Sequence, residues 1–141
     1  NALQRRIEED VLPTTRDLGL GNVVWSPLAQ GVLTGKYRSV DDLPSDSRAA
    51  GRSAGFMGRY LRPEVLEVVN ELVGLAGQAG STPSQLAIAW CLRRPEVSSA
   101  IVGATKERHV DDNVAAADLD LGEEVFAEVD RILGGVSVKG V

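Results

Sequence analysis

Two short apolar runs constrain this sequence most, and each is directly followed by small and polar residues. Asn22–Trp25 ends at Ser26-Pro27, and Ser99–Val102 ends at Gly103-Ala104. Short β-branched and aromatic runs of this kind are typical of strands that are covered on both faces in a parallel sheet. Segments with helical periodicity lie before, between and after the two runs. This βα alternation predicts an α/β fold with a parallel sheet.

The predicted helices follow from apolar stripes and from their start and stop residues. Thr82-Pro83-Ser84-Gln85 has the form of a capping box, and Thr105 is predicted to cap the helix after the second strand. From Gln30 to Tyr60 no periodicity lasts, and irregular loops of this length are uncommon unless they are functional. The sequence predicts helices over Ala2–Leu18, from Pro63 to the glycines at 77–80, over Pro83–Arg93, from Thr105 to about Ala117, and over Glu123–Leu133.

The length of the chain limits what these elements can build. A complete (β/α)8 barrel needs roughly 250 residues, and this chain has 141. Two parallel strands with helices on one side would also keep open edges and apolar surface without a partner. We therefore expect an incomplete barrel. The first residue is Asn1 and not Met, so we expect either that processing has removed a segment or that the sequence begins in the middle of a larger protein.

Composition excludes several classes of function. Fifteen Lys and Arg against 20 Asp and Glu give a net charge of −5, which argues against a nucleic-acid-binding module. No apolar stretch approaches the roughly 20 residues of a membrane-spanning helix, and no signal peptide is visible. The single cysteine, Cys91, cannot form an internal disulfide. These features predict a cytoplasmic protein in which Cys91 is a buried packing thiol.

Three linked motifs carry a resemblance to a known family. They are Trp25–Tyr37 from the end of the first strand, Gln85–Leu92 in the predicted helix Pro83–Arg93, and Ile101–Asn113 from the end of the second strand. In order and spacing they resemble the aldo-keto reductases, in particular the branch that includes potassium-channel β-subunits and bacterial relatives. The resemblance implies the C-terminal part of a (β/α)8 TIM barrel, with strands seven and eight, their helices and the terminal helix. Residues 1–141 would form one partial oxidoreductase domain.

The resemblance implies that the cofactor is NADP(H), bound across the barrel mouth without a Rossmann fold. The Trp25 ring would stack on the nicotinamide, as its flat apolar face allows. From the residues alone, Trp25 could instead be a core aromatic and Ser26-Pro27 only a strand stop. The pyrophosphate path would be lined by Ser26, Leu28, Ala29 and Gln30, and Pro27 is predicted to belong to the same cofactor site.

The loop after this motif contains three cations, Lys36, Arg48 and Arg52. In the family this loop folds over the cofactor, and Lys36 and Arg48 fall on positions that touch phosphate. The alternative is a solvated charged loop, and Arg52 is assigned to that alternative.

The second junction favours an anion on physical grounds. Lys106, Arg108 and His109 lie in the predicted first turn of a helix, where the helix dipole is already positive. A phosphate there would relieve the repulsion, and the resemblance makes it the 2′-phosphate of the adenosine ribose. The predicted adenosine-side residues are Gly103, Thr105, His109, Asp112 and Asn113, the last four sharing one helical face by their spacing.

The family's catalytic tetrad of Asp, Tyr, Lys and His comes from earlier strands, so no catalytic residue is predicted in this chain. No metal-ligand cluster is predicted either, and Glu8-Glu9 and Asp41-Asp42 are interpreted as solvated faces.

The leading hypothesis is the cofactor-binding C-terminal part of an NADP(H)-dependent aldo-keto reductase that transfers hydride between nicotinamide and a carbonyl or alcohol. The first alternative is a non-catalytic nucleotide-sensing subunit of the channel β-subunit type. The second is a degenerate half-barrel that binds nothing. The expected partners are a small carbonyl substrate and the N-terminal part of the barrel. The sequence does not decide between a monomer and a homo-oligomer.

Overall fold

The computed structural model describes residues 1–45, 47–50, 57–136 and 138. Two strands and five α-helices alternate along these residues, with short 3₁₀ turns at Arg6–Glu8, Ala29–Thr34 and Arg48–Ala50. The elements are α1 (Val11–Asp17), β1 (Asn22–Trp25), α2 (Pro63–Gln78), α3 (Pro83–Leu92), β2 (Val97–Ile101), α4 (Glu107–Ala115) and α5 (Gly122–Leu133).

The two strands pair in parallel, as the sequence predicted. Asn22 lies opposite Val97, and Trp25 lies opposite Ile101. The prediction of Asn22–Trp25 is confirmed, whereas that of Ser99–Val102 is wrong at both ends. The Asn22 amide donates to the Glu96 carbonyl at 2.8 Å, so β2 begins at Val97, opposite the first residue of β1. It ends at Ile101, opposite Trp25, the last residue of β1.

The first helix is much shorter than the predicted Ala2–Leu18. The chain forms a 3₁₀ turn at Arg6–Glu8, and α1 then spans only Val11–Asp17. Pro13 is the reason, because it lacks an N–H and its ring collides with the carbonyl four residues earlier. Proline is tolerated only in the first turn of a helix, and that is where α1 places it.

The core lies on one side of the sheet. Helix α2 buries one stripe against α5, α3 and the turn after β1, and α3 is buried almost all round, including Trp90 and Cys91. Cys91 is a free thiol that is only 5% exposed, which confirms the packing assignment. The α2 stripe consists of Val65, Leu66, Val69, Leu72 and Ala76.

The opposite face of the sheet is uncovered. Along β1, Val23 and Trp25 alternate with the half-buried Asn22 and Val24 and are 61% and 66% exposed. Ile101 of β2 is 59% exposed. This confirms the expected apolar surface without a partner. An α/β chain with one covered sheet face is consistent with a partial barrel.

Helix boundaries after β1 mostly agree with the sequence. The Thr82 hydroxyl accepts from the Gln85 amide at 3.1 Å, and the Gln85 side chain accepts from the Thr82 amide at 2.9 Å, so the predicted capping box is present. Helices α2 and α5 begin and end within about one residue of the predicted positions.

Glu8 corrects the interpretation of the acidic pair Glu8-Glu9 as solvated. Its carboxylate bonds Arg93 at 3.1 Å and Arg5 at 2.9 Å, and its side chain is only 19% exposed. Arg93 also lies 3.7 Å from the centre of the Trp90 ring, whose indole N–H donates to Asp130 at 3.0 Å. This ion-pair cluster joins the first residues of the chain to α3 and α5.

The long loop from Gln30 to Tyr60 lacks extended regular structure where it is described. It contains the turn at Arg48–Ala50 and one isolated bridge between Ser39 and Asp42. Positions 46 and 51–56, including Arg52, lie outside the described residues. Among the helices that are described, none is both long and apolar enough to cross a membrane.

The uncovered sheet face should make the isolated chain associate with itself. Replacing Val23 and Ile101 together by Thr keeps β-branched residues in the strands but removes apolar surface. We expect the apparent dissociation constant of the self-associated species to rise about tenfold, as the lost burial of two apolar groups implies. Light scattering across a concentration series measures this.

Val114→Thr is the matched control, because Val114 is 62% exposed on α4 and outside the sheet. A monomeric wild-type chain with a sharp cooperative melt would contradict the prediction. An increase in the dissociation constant that is as large for Val114→Thr as for the double variant would contradict it too.

Candidate functional site

The turn that follows β1 has an unusual backbone. Ser26, Ala29 and Gln30 have φ values of 54°, 48° and 61°, in the left-handed region that non-glycine residues rarely enter. Each such residue costs on the order of 1 kcal/mol or more, and this kind of strain concentrates at functional sites. The buried Pro27 and Ala29 anchor the turn, and Leu28 packs against the core.

A chain of hydrogen bonds fixes the polar side chains of this turn. Arg48 donates to the Gln30 side-chain oxygen at 2.5 Å, and the Gln30 amide donates to the Ser26 hydroxyl at 2.8 Å. Three residues predicted to bind the cofactor are therefore brought together, although 18 positions separate Gln30 from Arg48. Arg48 is exposed, so its guanidinium is accessible to an anion.

Lys36 folds back toward the same turn. A Cβ added to Gly31, whose φ is 95°, would lie 2.9 Å from Lys36 Nζ. The same ammonium lies 5.0 Å from the centre of the Tyr37 ring. One residue before Lys36, a Cβ on Gly35 would lie 2.5 Å from the side chain of Val73 in α2. The two glycines thus let the loop approach both its own cation and the neighbouring helix.

Trp25 borders a cavity of about 540 Å³ that Ser26, Gln30 and Tyr60 also line. Its ring is 66% exposed, so in this chain Trp25 is not a core aromatic. An indole at this position offers a flat apolar face at the mouth of the cavity.

The second strand end differs from its prediction in the helix cap. The N-cap of α4 is Lys106, and its side chain makes no capping bond, so the assignment of Thr105 as N-cap is wrong. Thr105 lies one residue too early for its hydroxyl to serve the first turn, and it is exposed along with Gly103. The helix begins with Glu107, whose carboxylate offsets part of the positive charge of its neighbours.

The predicted common face of Thr105, His109, Asp112 and Asn113 is only partly present. Thr105 precedes the helix, His109 and Asp112 are half-buried, and Asn113 is 7% exposed. The Asn113 side-chain nitrogen is buried and has no hydrogen-bond partner within the described part of the chain. Asp112 accepts a hydrogen bond from Thr82.

The loops that follow β1 and β2 leave the sheet at the same end of the two strands. Trp25 and Ile101, the last residues of the strands, are partners in the ladder, and parallel strands end on the same side. The turn with Ser26, Gln30 and Arg48 and the segment that leads into α4 therefore both follow strand ends on the same side of the sheet.

Sequence reasoning missed two residues of the site. Asn1 donates to the Ser26 carbonyl at 3.0 Å, and Tyr60 lines the cavity while being only 4% exposed. Burial raises the pKa of Tyr60, against the lowering effects of its hydrogen bond with Asn1 and of the Arg59 charge. A tyrosine at the end of an irregular loop carries no sequence signal for this location.

The raised pKa of Tyr60 predicts a loss of stability at alkaline pH. The folded state favours the neutral phenol. Its contribution to the free energy of unfolding is therefore complete below pH 10.0, the ordinary pKa of tyrosine, and is lost as the pH rises through the raised pKa of the folded state. Above about pH 10 the free energy of unfolding should fall faster in wild type than in Tyr60→Phe. The difference cannot exceed about 1.4 kcal/mol per pH unit, the limit for one proton. Denaturant unfolding from about pH 8 to 11 measures it, and parallel curves for the two proteins would contradict it.

The chain belongs to the aldo/keto reductase family, whose profile matches residues 1–133. It is 44% identical over 133 residues to a voltage-gated potassium channel subunit beta of Oryza sativa subsp. japonica, a match that covers 92% of this chain and 40% of the relative. A protein of the same description from Schizosaccharomyces pombe is 40% identical over 131 residues, covering 89% of this chain and 38% of that protein. L-glyceraldehyde 3-phosphate reductase of Escherichia coli O157:H7 is 32% identical over 136 residues, a match that covers 93% of this chain and 39% of the reductase. The chain thus spans about two fifths of the length of these relatives.

Proposed function

We propose that this chain is the cofactor-binding C-terminal part of an NADP(H)-dependent aldo-keto reductase. Residues 1–141 would contribute strands seven and eight of its (β/α)8 barrel. One observation carries the proposal: the strained turn after β1, with Ser26, Gln30 and Arg48 joined by hydrogen bonds, lies at the same sheet edge as the cationic start of α4. Two neighbouring groups of cations and donors fit a ligand with two separated phosphate groups.

The described residues fit the cofactor at three points. The exposed Trp25 ring can stack on the nicotinamide, and Arg48 and Lys36 can contact the pyrophosphate beside Ser26 and Gln30. Lys106 and His109 can bind the 2′-phosphate, and the buried Asn113 nitrogen has a free donor for the adenosine. The site residues proposed with these are Pro27, Leu28, Ala29, Gly103, Thr105 and Asp112.

The nicotinamide supplies hydride when it is bound. This chain's residues bind and orient: the Trp25 face restricts the ring to one plane, and the Ser26–Gln30–Arg48 bonds hold the donors of the turn before any ligand arrives. Because such groups need no reorganisation, they bind an extended dinucleotide at low entropic cost. A general acid for the carbonyl oxygen would come from the remainder of the barrel, together with the pocket for a small carbonyl substrate.

A second candidate is a nucleotide-sensing subunit with little turnover. It is favoured by the higher identity to the channel β-subunits, 40% and 44%, than to the Escherichia coli reductase, 32%. Both candidates require the same cofactor site. They differ in whether the complete polypeptide turns over carbonyl substrates or forms a stable complex with a membrane protein.

The isolated chain should not oxidise NADPH with any aldehyde, because its proposed role includes no acid–base residue. Absorbance of NADPH followed with a panel of aldehydes measures this. Turnover above the buffer background from the purified chain would contradict the division of roles.

The cationic start of α4 should select the phosphorylated cofactor. In the complete polypeptide, Lys106→Ala combined with His109→Ala should weaken NADPH binding roughly ten- to a hundredfold. Charge-assisted contacts to phosphate contribute about 1.5 to 3 kcal/mol, and NADH lacks that phosphate. Quenching of tryptophan fluorescence measures both affinities, since Trp25 is exposed and Trp90 is 3% exposed and supplies a constant background. Equal losses for NADPH and NADH would show that these residues only support the helix.

A further inference from the structure

A hydrogen-bonded contact joins the N-cap residue of α3, Thr82, which lies outside the proposed site, to Asp112 in the middle of α4, which belongs to it. The Thr82 hydroxyl lies 3.1 Å and 3.2 Å from the two carboxylate oxygens of Asp112. The same hydroxyl accepts the Gln85 amide at 3.1 Å as the N-cap of α3. Its single proton is therefore donated to Asp112 while its lone pair serves the cap, so one oxygen ties α4 to the start of α3.

Helix α4 has few other anchors. Its N-cap residue makes no side-chain bond, and Asn113 is the one residue buried along its length. Its apolar residues Val110 and Val114 are 49% and 62% exposed. Among the described residues, the Thr82–Asp112 pair is the side-chain hydrogen bond that joins α4 to another helix.

The alternative partners of Asp112 lie on its own helix. Arg108 is four positions before it and His109 three, the spacings at which charged side chains on a helix meet. An Asp112 carboxylate turned toward them would place negative charge beside the proposed 2′-phosphate site. Thr82 and the positive N-terminus of α3 instead attract that charge to the other side.

We propose that Thr82 is a positioning residue: it holds the Asp112 carboxylate against the start of α3 and so keeps the cations of α4 available to the cofactor's 2′-phosphate. The inference rests on the proposed function, because it concerns the same site. It assigns a specificity role to a residue that touches no ligand itself and that belongs to the helix before β2.

The test uses the complete polypeptide and four single variants. Thr82→Val removes the hydroxyl and keeps the shape, whereas Thr82→Asp keeps an N-cap acceptor but cannot hold an ionised Asp112. Both should weaken NADPH binding roughly threefold to tenfold, the range for one lost hydrogen bond, with less than about a twofold change for NADH. Thr82→Ser should bind like wild type. Thr14→Val, at an exposed position of α1, controls for the substitution itself.

The same changes are then made in an Asp112→Asn background, where no carboxylate is available to compete with the phosphate. There Thr82→Val should no longer change the ratio of NADPH to NADH affinity. An equal loss for both cofactors, or a selective loss that persists with Asn at position 112, would overturn the inference. Thermal melts identify a variant that loses affinity by unfolding. Failure of the unsubstituted protein to bind NADPH would instead overturn the proposed function.

Discussion

The structure depends on the parallel pairing of β1 with β2. Two strands joined by a long crossover must be held together by what covers them. Here α3 packs against β2, and α2 packs in turn against α3 and α5, while the other face of the sheet is exposed. The pairing aligns Trp25 with Ile101, and this register makes the two loops of the candidate site begin at the same end of the sheet. The same register starts at Asn22, whose side-chain amide also donates to the Glu96 carbonyl at 2.9 Å. A slip of one residue would move Trp25 to the helix-covered face of the sheet.

The ion-pair cluster around Trp90 fixes the segment that precedes α1. Arg93 is stacked on the ring and bonded to Glu8, and burial lowers its pKa while the nearby Asp130 and Glu8 charges oppose that effect. Removing one partner from such a half-buried group would leave a charge without compensation, which costs more than the pair itself contributes. The cluster thereby holds the first residues of the chain near β1, where Asn1 reaches the Ser26 carbonyl.

Local signals predicted the elements well, and contacts between distant residues account for what they missed. The capping box at Thr82, the strand Asn22–Trp25 and the burial of Cys91 each follow from a few adjacent residues. The overlong first helix came from apolar spacing that neglected Pro13, and the shifted β2 came from propensity without knowledge of its partner. At the candidate site, the motif predicted Ser26 and Gln30 and the loop after it predicted Arg48, but the hydrogen bonds among the three depend on how that loop returns to the turn. The pairing of Glu8 with Arg93 joins residues 85 positions apart and has no local signature.

The strained turn after β1 connects stability to the proposed binding role. The left-handed backbone conformation of Ser26, Ala29 and Gln30 persists because several independent contacts hold the same turn. The Ser26 carbonyl accepts from Asn1 at 3.0 Å and from the Ala29 amide at 3.0 Å, and its hydroxyl accepts from Gln30. A flexible loop would have to order these donors when a ligand binds, at about 0.5–1.5 kcal/mol for each side chain. In this turn the ordering is completed during folding, at the expense of backbone strain, so the donors are in place before a dinucleotide arrives.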